Sequence, residues 1–216
     1  MFSMPGQNQR RLYAFSAAAA WIAAGLGYLT LEAVAAARFC EHYSYARDFI
    51  SDLGEINCPG AHLMNMAFCM QGTLFLLGAV LVHRAFESVR AGWFLTLAAT
   101  NAVGNILVAI IHSGPSARVD GTLWLHVVGA LLAIVGGNAA ILAGSSVLRN
   151  AGWTPWYRNA SIGFAVFGLL SLTALIIESK IITLNVLPPA TWERCSVYSI
   201  IGWQIFTAAG LLARRR

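Results

Sequence analysis

A chain of 216 residues that is 58% hydrophobic and only 11% charged is not an ordinary soluble domain, in which about a quarter of residues are charged. Its net charge of +5 is not a nucleic-acid signature, because no basic groove with interleaved aromatics stands in a soluble module. Neither a Walker-type phosphate loop nor a dinucleotide-binding glycine fingerprint is present, which removes the nucleotide-dependent classes those motifs mark.

A bilayer core takes about 20 apolar residues per crossing helix, and six stretches qualify: 13–39, 61–82, 92–112, 123–147, 159–179 and 195–213. They consume most of residues 1–216. The prediction is an all-α polytopic membrane protein, a single six-helix transmembrane domain with no separate soluble domain. The first stretch follows Arg10 and Arg11 and exceeds the ~7–15 residues of a signal-peptide core, so it reads as a retained helix. Glu32 shares its face with Trp21, Gly25 and Tyr28. An acid at that depth is costly unless protonated or paired, and Arg47 or Lys180 is the expected partner.

The first loop concentrates charge in Tyr43–Gly54. Ser44 can cap a short helix over Tyr45–Leu53, and Gly54 can end it. Asp48 and Asp52 would share one face of that helix and Phe49, Ile50 and Leu53 the other, which suits a short interfacial helix. In the second stretch His62, Asn65 and Cys69 fall on one face. In the third, Asn101, Asn105 and His112 lie within about 40° of one another. Gly114, Pro115 and Gly121 mark a turn. His126 opens the fourth stretch above a strip of Ala130, Ala133, Gly137, Ala140 and Gly144, which admits a close helix or a lipid chain. Trp153, Pro155, Trp156 and Tyr157 read as an interfacial aromatic belt in the next loop. Pro188 and Pro189 stand in the last loop.

Basic residues set the expected orientation. With the N-terminus cytoplasmic, nine Arg (Arg10, Arg11, Arg84, Arg90, Arg149, Arg158 and 214–216) lie inside and five Lys or Arg (Arg38, Arg47, Arg118, Lys180, Arg194) outside. A multi-pass protein of the plasma (inner) membrane with both termini cytoplasmic is expected. Cys40, Cys58 and Cys195 then fall at outer helix ends, where Cys40–Cys58, Cys58–Cys195 and three free thiols all remain open.

The polar residues at the outer end suggest three functions. The first is an outward-facing pocket for a lipid headgroup or small polar ligand, walled by Arg47, Asp48, Ser51, Asp52, Asn65, Asn105 and His126. Arg47 would pair an anionic group there. The second is a metal-dependent membrane lipid hydrolase or transferase. His62, His112, His126 and Asp52 have the donor chemistry for zinc, with Ser51 or a metal-bound water as nucleophile. The third is a structural or accessory subunit, in which each histidine makes an interhelical bond and loop one is locked to the bundle. Membrane lipids, a second copy or a membrane-complex partner are the expected contacts.

The segment Tyr43-Ser44-x-x-Arg47-x-x-Ile50-Ser51-Asp52-Leu53-Gly54 resembles the signature of the bacterial and archaeal membrane proteins of domain-of-unknown-function family 998. Gly114-Pro115, followed by His126 at the head of an Ala- and Gly-rich helix, is similar too, as is an asparagine in the second helix, here Asn65. The chain departs at His112-Ser113-Gly114-Pro115, where the family pattern is a more apolar Gly-x-Phe-Pro. The resemblance implies a six-helix membrane fold and no particular activity.

Overall fold

The computed structural model describes residues 6–40, 42–87, 91–180 and 186–214. Among them are the helices α1 (Gln7–Ala37), α2 (Ala61–Phe86), α3 (Ala91–Ile110), α4 (Pro115–Val119), α5 (Leu123–Asn150), α6 (Pro155–Lys180) and α7 (Pro189–Ala213), with a 3-10 helix at Ile50–Gly54 in loop one. No strand occurs among the described residues. All helices but α4 are long and apolar enough to cross a membrane.

The helix starts differ from expectation in an instructive way. Helix α6 begins at Pro155 and α7 at Pro189, each several residues early. Proline suits a helix's first turn, where the N–H it lacks has no intrahelical partner. Trp156 and Tyr157 therefore open α6 instead of lying in a loop. Glu193 and Arg194 sit in the second turn of α7 instead of the preceding connection. Helix α3 stops at Ile110, which leaves His112 beyond its end, and the expected turn at Pro115 contains the short α4.

The long helices close into a ring. Helix α1 packs on α2, α2 on α3, α3 on α5, α5 on α6, α6 on α7, and α7 returns to α1. Helix α7 also touches α5 and the 3-10 helix. Leu26, Leu77, Ile106, Val127 and Phe167 are exposed apolar side chains on the other five, as a surface solvated by lipid tails requires. Among the described residues α7 has no exposed large apolar side chain; it buries Arg194, Ser196, Ser199, Gln204 and Thr207. The α3–α5 seam is close because it is built on glycine. A Cβ on Gly104 would fall 2.2 Å from the Ala133 nitrogen, and one on Gly136 2.8 Å from that of Asn101. Gly137 and Gly144 of the small-residue strip of α5 thus serve helix packing, Gly137 against Ile200 and Gly144 against the Phe94 ring.

Two depths of the ring are filled differently. Toward the termini, Trp21, Phe75 and Trp203 are wholly buried, with ring centroids 5.2 Å apart for the two tryptophans and 6.3 Å for Phe75–Trp203. Their indole N–H groups are used: Trp21 donates to the Phe75 carbonyl at 3.1 Å and Trp203 to the Ser161 hydroxyl at 3.0 Å. At the loop-one end the interior is polar and charged.

Candidate functional site

Loop one is one helical turn, a break and a 3-10 helix, not the continuous helix its sequence suggests. The Ser44 carbonyl accepts the N–H groups of Arg47 (3.0 Å) and Asp48 (2.9 Å). Phe49 is then extended. The next backbone groups are claimed by side chains. The Phe49 N–H donates to Asp52 Oδ2 at 3.0 Å and the Ile50 N–H to Glu193 Oε2 at 2.6 Å. Thr191 donates its hydroxyl to the Ala46 carbonyl at 3.1 Å, the acceptor a continuing helix would need for Ile50. Ser44 contributes backbone to the turn, its own N–H bonding Asp48 Oδ2 at 2.7 Å.

The far half of the loop is pinned to α2 and the α3 end. The Gly54 carbonyl accepts from Asn65 Nδ2 at 3.2 Å and from His112 Nδ1 at 3.0 Å. The Ser113 hydroxyl donates to the Ser51 carbonyl at 2.8 Å. A Cβ on Gly54 would lie 2.5 Å from Asn65 Oδ1 and would displace the side chain that bonds the Gly54 carbonyl. A Cys40–Cys58 disulfide, with Cα atoms 5.2 Å apart, closes the base of the loop; Cys195 is a free thiol. Ile50 and Leu53, the apolar face expected at an interface, are instead buried in the bundle core with Tyr28, Met64 and Phe68.

The guanidinium in this region belongs to Arg194, not Arg47. Arg194 is 6% exposed and donates to the Asp48 carbonyl at 2.7 Å and to the Tyr43 hydroxyl. It stacks near the Tyr43 and Tyr45 rings, 5.4 and 5.1 Å from their centroids. Its Nε lies 3.6 Å from Glu32 Oε1, an ion pair beyond hydrogen-bond range. Glu32 is 1% exposed and takes the Tyr198 hydroxyl on both oxygens, at 2.8 and 2.9 Å. So Arg194 and Tyr198 take the place expected for Arg47 or Lys180. Arg47 is exposed, and the Lys180 side chain lies outside the described residues. Burial raises the Tyr43 hydroxyl above its ordinary pKa, opposed by Arg194. It stays a neutral phenol that accepts from Arg194 and donates to the Phe49 carbonyl at 3.0 Å. Asp52 is likewise raised, mainly by burial, with the Phe49 N–H opposing.

Beneath the 3-10 helix, inside the ring, lies a cavity of about 50 Å³, on a scale where one water needs roughly 10–15 Å³. Its polar wall is Ser51, Gln71, Asn101, Asn105, His126 and Glu193; Tyr28, Phe68, Val108 and Val197 are among its other lining residues. Asn101 (1% exposed) and Gln71 (4%) each keep a buried side-chain oxygen with no hydrogen-bond partner. Such orphans are rare in a finished core, and each calls for an explanation.

Of the residues expected at a pocket, Ser51, Asn105 and His126 line the cavity. Asp48, Asp52 and Asn65 instead hold loop one in shape. The expected zinc set is not assembled. His62 is exposed, His112 bonds the Gly54 carbonyl, and among the described residues no three His, Cys, Asp or Glu side chains could share a metal ion. The donors sit on different elements, and backbone groups claim Asp52, His112 and His126 separately. Sequence reasoning missed Gln71, Glu193, Arg194 and Tyr198. The Pro188–Pro189 pair could have extended α7 back over Glu193 and Arg194; Gln71 was visible as an amide within an apolar span.

A closed ring of apolar helices with a charged, hydrogen-bonded interior defines a multi-pass membrane protein. The chain belongs to the family described as protein of unknown function (DUF998), whose profile matches residues 17–210. No curated protein and no solved structure matches it.

Proposed function

We propose that this protein binds a small polar ligand, or the polar head of a lipid, in the cavity beneath loop one. The observation that carries this reading is the pair of unpartnered buried oxygens on Asn101 and Gln71 in the wall of one cavity. A buried polar atom without a partner costs about 1–3 kcal/mol, and a bound ligand would remove that penalty. Loop one is the lid of the site, and its signature residues shape the lid. Membrane lipid is the medium and one candidate source of ligand. The basic residues support an orientation with both termini cytoplasmic, which a C-terminal fluorescent-protein fusion would check together with placement in the plasma membrane.

Native mass spectrometry of protein released from its own membrane tests the reading. Ala130 lines the cavity, and Ala130→Phe would fill it. The expected result is a small-molecule or lipid adduct on the parent protein that the filled variant lacks. Identical adducts on both would overturn the proposal. The favoured alternative would then be a structural subunit, because Asp48 and Asp52 already spend carboxylate oxygens on the loop's own backbone.

A further inference from the structure

The cavity wall is chemically one-sided. Asn101 Nδ2 donates to the Ala133 carbonyl at 2.6 Å, which fixes the orientation of the amide and leaves Oδ1 as its unpartnered end. Asn105 Nδ2 donates to the Asn101 carbonyl at 3.0 Å, again leaving an oxygen. Gln71 Nε2 donates to Gln204 Oε1 at 2.6 Å, which leaves Gln71 Oε1 in the wall and Gln204 Nε2 outside the lining without partners. His126 Nδ1 lies 2.5 Å from the Ile111 carbonyl. A carbonyl only accepts, so Nδ1 carries the proton and Nε2 of the neutral ring is an acceptor. Glu193 gives one oxygen to the Ile50 N–H and keeps acceptor capacity, since a carboxylate offers about four lone-pair sites. The two hydroxyls in the wall, on Ser51 and Tyr28, can play either role.

Charge points the same way. The cluster holds two acids, the buried Glu32 and the half-buried Glu193, and one buried base, Arg194. Arg194 is paired to Glu32, and Glu193 forms no salt bridge among the described residues. A wall rich in acceptors beside a carboxylate that shares its one neighbouring cation, Arg194, with Glu32 suits a ligand that is cationic and rich in N–H donors.

We infer that the cavity binds a primary ammonium group, R–NH3+, with Glu193 as its counter-charge and the oxygens of Asn101, Asn105 and Gln71 and Nε2 of His126 as its acceptors. This rests on the reading of the cavity as a ligand site. The volume suits an ammonium with a carbon or two, so a lipid would enter by its headgroup alone. The ammonium is supplied either by an aminophospholipid headgroup or by a free small amine.

The test uses the full chain in phosphatidylcholine nanodiscs, whose headgroups carry no N–H. Methylammonium, tetramethylammonium, sodium and acetamide are titrated at matched ionic strength and followed by thermal unfolding, which a ligand specific for the folded state shifts upward. Methylammonium is expected to raise the midpoint saturably, and tetramethylammonium and sodium are not. Glu193→Gln keeps an oxygen for the Ile50 N–H and should weaken methylammonium by about tenfold or more, as loss of a charge-assisted bond predicts. If that variant does not fold, Asn105→Ala should weaken binding in the same direction. Nanodiscs of phosphatidylethanolamine identify the source. A raised midpoint with competition against methylammonium assigns the lipid, and methylammonium binding without competition assigns a free amine. Acetamide binding without methylammonium binding would sink the ammonium assignment and leave the ligand site standing. Binding by none of the probes would sink both. An equal response to sodium, or unchanged affinity in both variants, would also overturn the inference.

Discussion

The two depths of this ring solve the same problem, filling the space between six helices, with opposite materials. Toward the termini the centre is Trp21, Phe75 and Trp203, rings in direct contact whose indole N–H groups are satisfied by a carbonyl and a hydroxyl. Near loop one the centre is a cavity, a buried Glu32–Arg194 pair and amide oxygens without partners. Packing aromatic rings needs no ordered partner and adds stability wherever shapes match. Burying charges and orphan acceptors lowers stability unless something binds them. A protein that had only to span a membrane could have used the first solution throughout. Local departure from the stable choice is where function is expected.

Two substitutions of comparable size should separate these regions most sharply. Phe75→Ala leaves a hole among rings and should destabilise by about 3–5 kcal/mol. Arg194→Met leaves Glu32 buried without its cation and should also cost about 3–5 kcal/mol. Reversible unfolding in mixed micelles would measure both. The signature lies in the second mutation. Glu32→Gln should recover much of the loss in the Arg194→Met background and none in the Phe75→Ala background, because only neighbours couple. Equal recovery in both backgrounds would erase the distinction between the two depths.

Loss of the disulfide at the base of loop one comes next. Cys40 and Cys58 are 18 residues apart in sequence and disulfide-bonded. Cys40→Ser with Cys58→Ser should lower stability by about 2–4 kcal/mol, the usual range for a loop of that size. The loss should appear first as faster hydrogen exchange at Ile50–Gly54, with the aromatic half unchanged. A uniform rise in exchange over α1 to α7 would mean that loop one and the ring unfold as one unit.

The six-helix class was readable from sequence because apolar length alone decides it; a run of the length of 123–147 has few other homes than a bilayer. Glu32 was also readable as a residue in need of a partner, since the penalty for an orphan acid does not depend on where the partner lies. The partner itself was not. Arg47 is near in sequence and Arg194 is 162 positions away, and only ring closure of α7 on α1 brings the latter in. Loop one failed as a helix prediction for a related reason. Its local signals favour a helix, but the Ile50 N–H and the Ala46 carbonyl are taken by Glu193 and Thr191 from α7. Propensity yields where distant side chains satisfy the backbone first. The supposed zinc donors show the converse, because shared helix phase aligns residues on one element and says nothing about the distance to donors on another.

The smallest expected effect concerns how loop one is held. Asp52 is raised above its ordinary pKa mainly by burial, with Asp48 and Glu55 adding to the rise and the Phe49 N–H and Arg194 opposing it. The folded state therefore holds the Asp52 proton to higher pH than the unfolded chain does. Its contribution to stability is fullest below the ordinary carboxylate range, declines as pH rises through the raised value and is flat above it. Asp52→Asn keeps an oxygen that can accept the Phe49 N–H, so it should remove this pH dependence without removing the bond. The stability of the parent minus that of Asp52→Asn, measured from acidic to neutral pH, should fall with rising pH. Asp52→Ala loses the bond as well and should be less stable than Asp52→Asn at every pH. A difference that rises with pH would show that Asp52 is held charged in the fold. The carboxylate would then belong with Glu32 as a paired ion, and loop one would be held to the bundle by charge in addition to backbone capping.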